Sequence, residues 1–253
     1  MRVHHRIDGA GPPLLLVNSL GTVLELWEPL VAPLGFRHRL VRYDQRGHGG
    51  TPAPNGPYTI EALAGDALDL LDRLGLERVG VCGLSIGGAV AIWIAANAVD
   101  RVDRLVVGSA GPRFATPETW IERAAIVRAE GTEAVVDGVI ERWFTPAFAA
   151  GHPDLLARFR AAFCATNREG YAGCCDALVE WDATPHLRRV LAPTLILAGS
   201  EDTVAPPDRG RELADGIPDA RLVVLEDCAH LASANQPAAF ADAVLAHLAG
   251  AAA

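Results

Sequence analysis

Along the chain, short runs of consecutive apolar residues alternate with longer segments in which apolar positions recur every three or four residues. Leu14–Asn18 (LLLVN) and Arg39–Asp44 (RLVRYD) are of the first kind. The turn-forming GPP and RGHGG bound them, and the pattern predicts short buried strands. Thr59 opens a segment of the second kind. Leu63, Ala67, Leu70, Leu71 and Leu74 fall on one face at helical spacing, Glu61 suits the positive end of the helix dipole, and Gly75 stops the run. A strand over Arg78–Leu84, a helix from about 87 to 98 and a strand over Arg104–Gly108 continue the alternation. From about Arg113 to Leu191 it lapses. That stretch reads as mostly helical, with many aromatics (Trp120, Trp143, Phe144, Phe148, Phe159, Phe163, Tyr171, Trp181) and no convincing strand. The rhythm then resumes with a strand over Thr194–Gly199, a helix around 209–214, a strand over Arg221–Glu226 and a helix over 236–248.

Strand, helix, strand at this spacing predicts an α/β fold with a doubly wound, mostly parallel sheet covered on both faces. The lapse predicts a helical lid inserted into it. The expected division is a core of residues 1–112 and 192–253 and a lid of residues 113–191. The alanine-rich end, Ala249–Ala253, is expected to fray.

Composition narrows the class of function. With 253 residues, half of them hydrophobic, the chain can bury one sizeable core. A net charge of -9 argues against nucleic acid, whose phosphates call for a basic surface. A small neutral or anionic metabolite stays open, given a local cation. No run of about eighteen apolar residues suggests a membrane span, and no secretory signal pattern is visible, so the expected compartment is the cytoplasm. Cys82, Cys164, Cys174, Cys175 and Cys228 lack the paired spacing of a zinc or redox site and read as small buried residues.

The chemistry concentrates at Gly83-Leu84-Ser85-Ile86-Gly87, a GxSxG pentad between a predicted strand and a predicted helix. A turn this tight leaves no room for side chains two residues either side of the serine, and it lifts the hydroxyl above the sheet beside a helix N-terminus. An ordinary glycine-rich turn is the plain alternative; the strand before it and the helix after it favour a nucleophile. A serine hydroxyl needs a base, and the base an orienting acid. In this architecture they follow in the order Ser, acid, His. Asp202 lies in GSEDTVAPP after one late strand, and His230 in DCAH after the next. Glu201 and Asp227 compete for the acid, Asp227 as a loop-stabilising neighbour of the histidine. His48, in RGHGG, reads as a loop histidine satisfied by hydrogen bonds. His4, His5, His152, His186 and His247 read less well as bases.

An acyl transfer also develops an oxyanion. Its expected donors are the backbone N–H groups of Ile86, next to the nucleophile, and of Leu20, in the NSLGT loop after an early strand. Asn18 and Ser19 of that loop are candidates for substrate contact through their side chains.

With these residues in view, the chain resembles the 3-oxoadipate enol-lactonases of aromatic-acid catabolism, within the α/β-hydrolases. The likeness lies in LLLVNSLGT with LELWEPL, VRYDQRGHGGTPAPNGPYTIEALAGD, VCGLSIGGAVAIWIAANAVDRVDRLVV, ERWFTPAF, and GYAGCCDAL ahead of LAPTLILAGSEDTVAPP. Asn18-Ser19 stands where most of the superfamily carries His-Gly. SAGPRF, at the lid entrance, departs from the pattern. The resemblance implies a five-membered enol lactone bearing a carboxymethyl arm as substrate, and no metal or organic cofactor. The arm calls for a cation in an otherwise apolar pocket, and Arg142 in ERWFTPAF is the candidate, with a solvated lid arginine as its alternative. Trp143 is equally a candidate pocket wall or lid core. The rival readings are another lactonase or a carboxylesterase, or a non-catalytic small-molecule receptor on the same scaffold. The partner in each case is a small molecule, and the oligomeric state is not legible.

Overall fold

A computed structural model describes residues 1–250; the expected fraying of 251–253 lies outside the described residues. Seven strands form one sheet: β1 (His5–Asp8), β2 (Pro13–Val17), β3 (Arg39–Tyr43), β4 (Val79–Leu84), β5 (Val102–Gly108), β6 (Thr194–Gly199) and β7 (Ala220–Leu225). Their spatial order is β1-β3-β2-β4-β5-β6-β7, and every pairing is parallel except β1 with β3. The apolar runs are strands because helices cover both sheet faces. Every residue of β4 and β6 is buried, as a strand flanked by two helical layers requires.

The helices are α1 (Glu28–Gly35), α2 (Ile60–Arg73), α3 (Ile86–Asn97), α4 (Pro117–Glu130), α5 (Val136–Trp143), α6 (Pro146–Gly151), α7 (Pro153–Cys164), α8 (Arg168–Val179), α9 (Thr184–Leu187), α10 (Pro207–Gly216), α11 (Ala232–Asn235) and α12 (Pro237–Leu248). Thr59 caps α2 as its position suggests, its side chain accepting the Ala62 N–H at 3.0 Å, and Gly75 follows the helix at φ 66°. Six helices, α4 to α9, fill the connection between β5 and β6, forming the inserted lid. Three elements differ from the sequence pattern. β1 was not anticipated because its burial is partial and its sequence, HRID, is polar. α1 carries Pro29 and Pro33, which mask its helical period. α11 is a single turn too short to show a period. Among the described residues, no helix is long and apolar enough to cross a membrane.

The sheet order reverses between β2 and β4. From β2 the chain passes to β3 on one side, and then to β4 on the other. Such a switch point opens a crevice at the carboxyl ends of the two strands. Val17 pairs with Gly83 in register, so Leu20 and Ile86, each three residues further on, leave the sheet side by side.

Candidate active site

At the end of β4 the backbone turns through Ser85 at φ 58°, ψ -120°, a left-handed conformation for a residue with a Cβ. Such strain costs on the order of 1–3 kcal/mol and persists only where the surroundings enforce it. They do so here through close backbone approach. A Cβ at Gly83 would run into the Gly87 carbonyl, and one at Gly87 into the Val17 carbonyl of the neighbouring strand. The pentad glycines thus let the turn and the sheet close on each other. Ser85 precedes α3, so the helix N-terminus faces the hydroxyl's surroundings.

His230 and Asp202 arrive from the far side of the sheet. Gly199 of β6 pairs with Leu225 of β7, and the loops beyond them stay together: the Glu201 N–H donates to the Cys228 carbonyl at 2.8 Å. His230 lies 2.9 Å from Ser85 Oγ through Nε2 and 2.8 Å from Asp202 Oδ2 through Nδ1. All three residues are buried. The other oxygen of Asp202 accepts the N–H groups of Val204 and Ala205 at 2.8 and 2.9 Å. Burial pushes this carboxyl up, but His230 and the two amides outweigh it, and Asp202 stays below the ordinary carboxylate range. An ionised Asp202 fixes the Nδ1–H tautomer of His230 and leaves Nε2 bare to receive a proton from Ser85. Glu201 and Asp227 are exposed and make no bond to His230.

Of the competing histidines, His247 bonds the Pro193 carbonyl, His152 the Phe148 carbonyl, His5 the Val3 carbonyl and His4 the Asp44 carboxylate. His186 stacks on Trp181. His48 is buried and bonded through both ring nitrogens. Burial raises the pKa of all five cysteine thiols, Cys175 and Cys228 to about 12, which leaves them neutral and unreactive.

Among the described residues, neither the Leu20 N–H nor the Ile86 N–H donates to a protein acceptor. The neighbouring amides are spent: the Gly21 N–H on His48 Nε2 at 3.0 Å, the Thr22 N–H on the Ser19 carbonyl at 3.2 Å. Asn18 requires a correction. Its side chain is fully buried, donates to the Tyr43 carbonyl at 2.9 Å and accepts the Trp27 indole N–H at 2.8 Å. One N–H and the oxygen of the amide thus hold the loop, and Asn18 is not among the residues lining the cavity. Ser19 does line the cavity.

That cavity, of about 420 Å³, opens above Ser85 and His230. Lid residues roof it: Trp120 and Arg123 from α4, Val139, Arg142 and Trp143 from α5, and Tyr171 from α8. Trp143 is wall and lid core at once, its ring edge-on to Phe163 at 5.6 Å and Phe159 at 6.1 Å. Arg113, Arg128, Arg160 and Arg209 sit in ion pairs. Arg123 and Arg142 sit in none among the described residues. Burial first, and then Arg123, hold the Arg142 guanidinium below the ordinary arginine range. Arg123 also lies over the Trp120 ring at 4.9 Å, and the buried Trp120 Nε1–H has no partner among the described residues. Sequence reasoning missed Arg123 and Trp120. They stand three apart on one helix and therefore share a face, but only the docking of α4 over the crevice turns that face toward Ser85.

Asn235 was missed as well. Its Nδ2 donates to the carbonyls of Trp143 (2.9 Å) and Leu231 (3.0 Å), and its Oδ1 accepts the N–H groups of Thr145 (3.3 Å) and Ala229 (3.4 Å). It fastens the loop carrying His230 to the lid segment carrying Arg142 and Trp143. Its side chain is spent entirely on backbone groups, so no spacing in the sequence announces it.

A strained serine between a parallel strand and a helix, hydrogen-bonded to a histidine and through it to an aspartate, defines a class: the chain belongs to the α/β-hydrolase fold family, whose model matches residues 12–237. Within that family, the expected resemblance to the 3-oxoadipate enol-lactonases holds. The chain is 35% identical to 3-oxoadipate enol-lactonase 2 of Acinetobacter baylyi, over 92% of its own length and 87% of that protein's. The crystal structure of the enol-lactonase from Burkholderia xenovorans LB400 superposes with a TM-score of 0.95 at 42% identity, covering 98% of this chain and 96% of the other. The carbamate-hydrolase candidate RutD of Stutzerimonas stutzeri is also similar, 30% identical over 98% of this chain and 95% of its own.

Proposed function

We propose that the chain is a serine hydrolase that opens the lactone ring of 3-oxoadipate enol-lactone to give 3-oxoadipate, in the catabolism of aromatic acids. The observation that carries this reading is two arginines without carboxylate partners in the cavity that holds Ser85 and His230. A neutral ester brings no charge to such a pair; a lactone with a carboxymethyl arm does. The reading takes residues 113–191 as the lid over a core of 1–112 and 192–253.

In this mechanism Ser85 Oγ attacks the ring carbonyl as His230 Nε2 takes its proton, and Asp202 stabilises the imidazolium. The N–H groups of Leu20 and Ile86 hold the oxyanion, which a protein donor stabilises more strongly than the ground-state carbonyl. The enolic oxygen leaves with the proton from His230. Water, deprotonated by the same imidazole, then releases the acyl group from Ser85. An enol leaves more readily than an alkoxide, and its tautomerisation to the 3-oxo acid draws the reaction forward. Arg142 and Arg123 hold the carboxymethyl arm, with Trp143 and Ser19 along the wall.

The test follows the ultraviolet absorbance of the enol lactone with wild type and Ser85→Ala. Wild type is expected to consume it and Ser85→Ala to lose at least about a thousandfold, in line with removal of a triad member. A wild type that spares the lactone while cleaving carbamates or simple aryl esters overturns the substrate, and the similarity to RutD makes carbamates the first alternative to try.

A further inference from the structure

We propose that His48 is a positioning residue for the oxyanion site: by accepting the Gly21 N–H on Nε2 it holds the loop after β2 so that the adjacent Leu20 N–H stays free and in place. The inference rests on the serine-hydrolase reading above and is independent of its substrate.

The imidazole is buried and its hydrogen bonds dictate its tautomer. Nδ1 faces the Arg46 carbonyl at 3.1 Å and must donate to it, so Nε2 is the bare nitrogen that accepts the Gly21 N–H at 3.0 Å. The ring stands on a fixed base. The His48 N–H donates to the Gln45 carbonyl and the Thr51 N–H to the His48 carbonyl, both at 2.9 Å. From the same turn, Gln45 Nε2 donates to the Asn18 carbonyl at 2.6 Å. Gln45 and His48 therefore grip the loop at Asn18 and at Gly21, on either side of Leu20. Gly21 adopts φ 75°, which any glycine leaves easily, so without the tether this peptide can rotate. It also has no room to drift as a bulkier residue, because a Cβ there would meet the Phe163 and Tyr171 rings of the lid. With the Gly21 amide taken by His48, and the Thr22 N–H and Oγ1–H both taken by the Ser19 carbonyl, the Leu20 N–H is the donor left for substrate among residues 20 to 22.

The test compares His48→Leu and His48→Gln with wild type on p-nitrophenyl acetate, a neutral ester that ignores the arginines, alongside fluorophosphonate labelling and the affinity of phenylboronic acid, which forms a tetrahedral adduct on Ser85. Removing an oxyanion donor outright costs about 100- to 1000-fold in kcat. Loosening one is expected to lower kcat of His48→Leu by about tenfold to a hundredfold with KM within about twofold, and to weaken phenylboronic acid by a similar factor. His48→Gln, whose amide can accept from Gly21 and donate to Arg46, is expected to keep at least about a third of wild-type kcat. Unchanged kcat and boronate affinity in His48→Leu would overturn the proposal. Should His48→Leu not fold, a folded His48→Gln with kcat down by more than about tenfold would overturn it too. A wild type inert to both ester and fluorophosphonate would instead sink the hydrolase reading, and this inference with it.

Discussion

Replacing Arg142 by alanine, alone and together with Arg123→Ala, separates substrate recognition from catalysis. Each guanidinium lines the cavity without a carboxylate partner among the described residues, and the two lie close enough for Arg123 to depress Arg142. A charge-assisted hydrogen bond to a substrate carboxylate contributes about 1.5–3 kcal/mol. Since about 1.4 kcal/mol is a factor of ten, each single variant is expected to lose roughly tenfold to a hundredfold in kcat/KM on the acidic lactone. A neutral aryl ester lacks the carboxylate and should change by less than about threefold. The unliganded protein gives an opposite signature. Two like charges facing each other without a counterion repel, so Arg142→Ala should melt no lower than wild type, unlike an ordinary truncation in the lid. Because the two share one anion, the double variant should lose less than the product of the single losses. The assay is initial-rate kinetics on both substrates, with thermal melts of the same preparations. Equal losses on lactone and neutral ester would refute the reasoning, as would an acidic-lactone rate that ignores both substitutions.

Asn235→Ala removes four backbone partners at once, of which the 2.9 and 3.0 Å bonds are the better formed. The expected cost is about 2–4 kcal/mol, read as a drop in Tm of roughly 5–15 °C, with kcat falling because the His230 loop loses its fastening to the lid. A Tm within about 2 °C of wild type would show that fastening to be dispensable. Stability should also fall on acidification. Burial holds His48 and His247 below their ordinary value of 6.5, so in the unfolded chain they take up protons that the folded one refuses. Stability from this source is therefore full above about pH 6.5 and declines as pH drops below it toward the folded values. Asp202 adds a second loss: its folded pKa lies below the ordinary 3.8, so its contribution is present above that value and vanishes as pH falls through the lower one. Urea midpoints between pH 8 and pH 4 measure the histidine loss and those below pH 4 the Asp202 loss, and a flat profile from 7 to 5 would contradict the histidine contribution.

Some of this protein was written in local chemistry. Runs such as LLLV, VGVCGL and LILAG read as strands, because short unbroken apolar stretches bounded by turn residues fit a strand buried between two covering layers. The pentad glycines around Ser85 announce a turn whose backbone contacts exclude any Cβ. Asp202 and His230 are expected from the Ser, acid, His order of this architecture, and each stands just beyond a strand that the pattern marks. These features are legible because periodicity and steric exclusion act over a few residues.

Other features depend on which surfaces meet. Asn18, polar and in the NSLGT loop, suggests substrate contact in sequence, yet Tyr43 and Trp27 engage its amide once β2 and β3 pair. Arg123 faces the cavity only because α4 docks over the β2–β4 crevice. Asn235 and His48 act through backbone groups 90 and 27 residues away, Thr145 and Gly21. A side chain that bonds to backbone reads no partner's identity, so nothing in the chain's own spelling marks the pair. The sequence alone marked six of the seven strands, the turn at Ser85 and the positions of Asp202 and His230; packing of distant segments decided what surrounds them, since burial and hydrogen bonding are properties of neighbours in space.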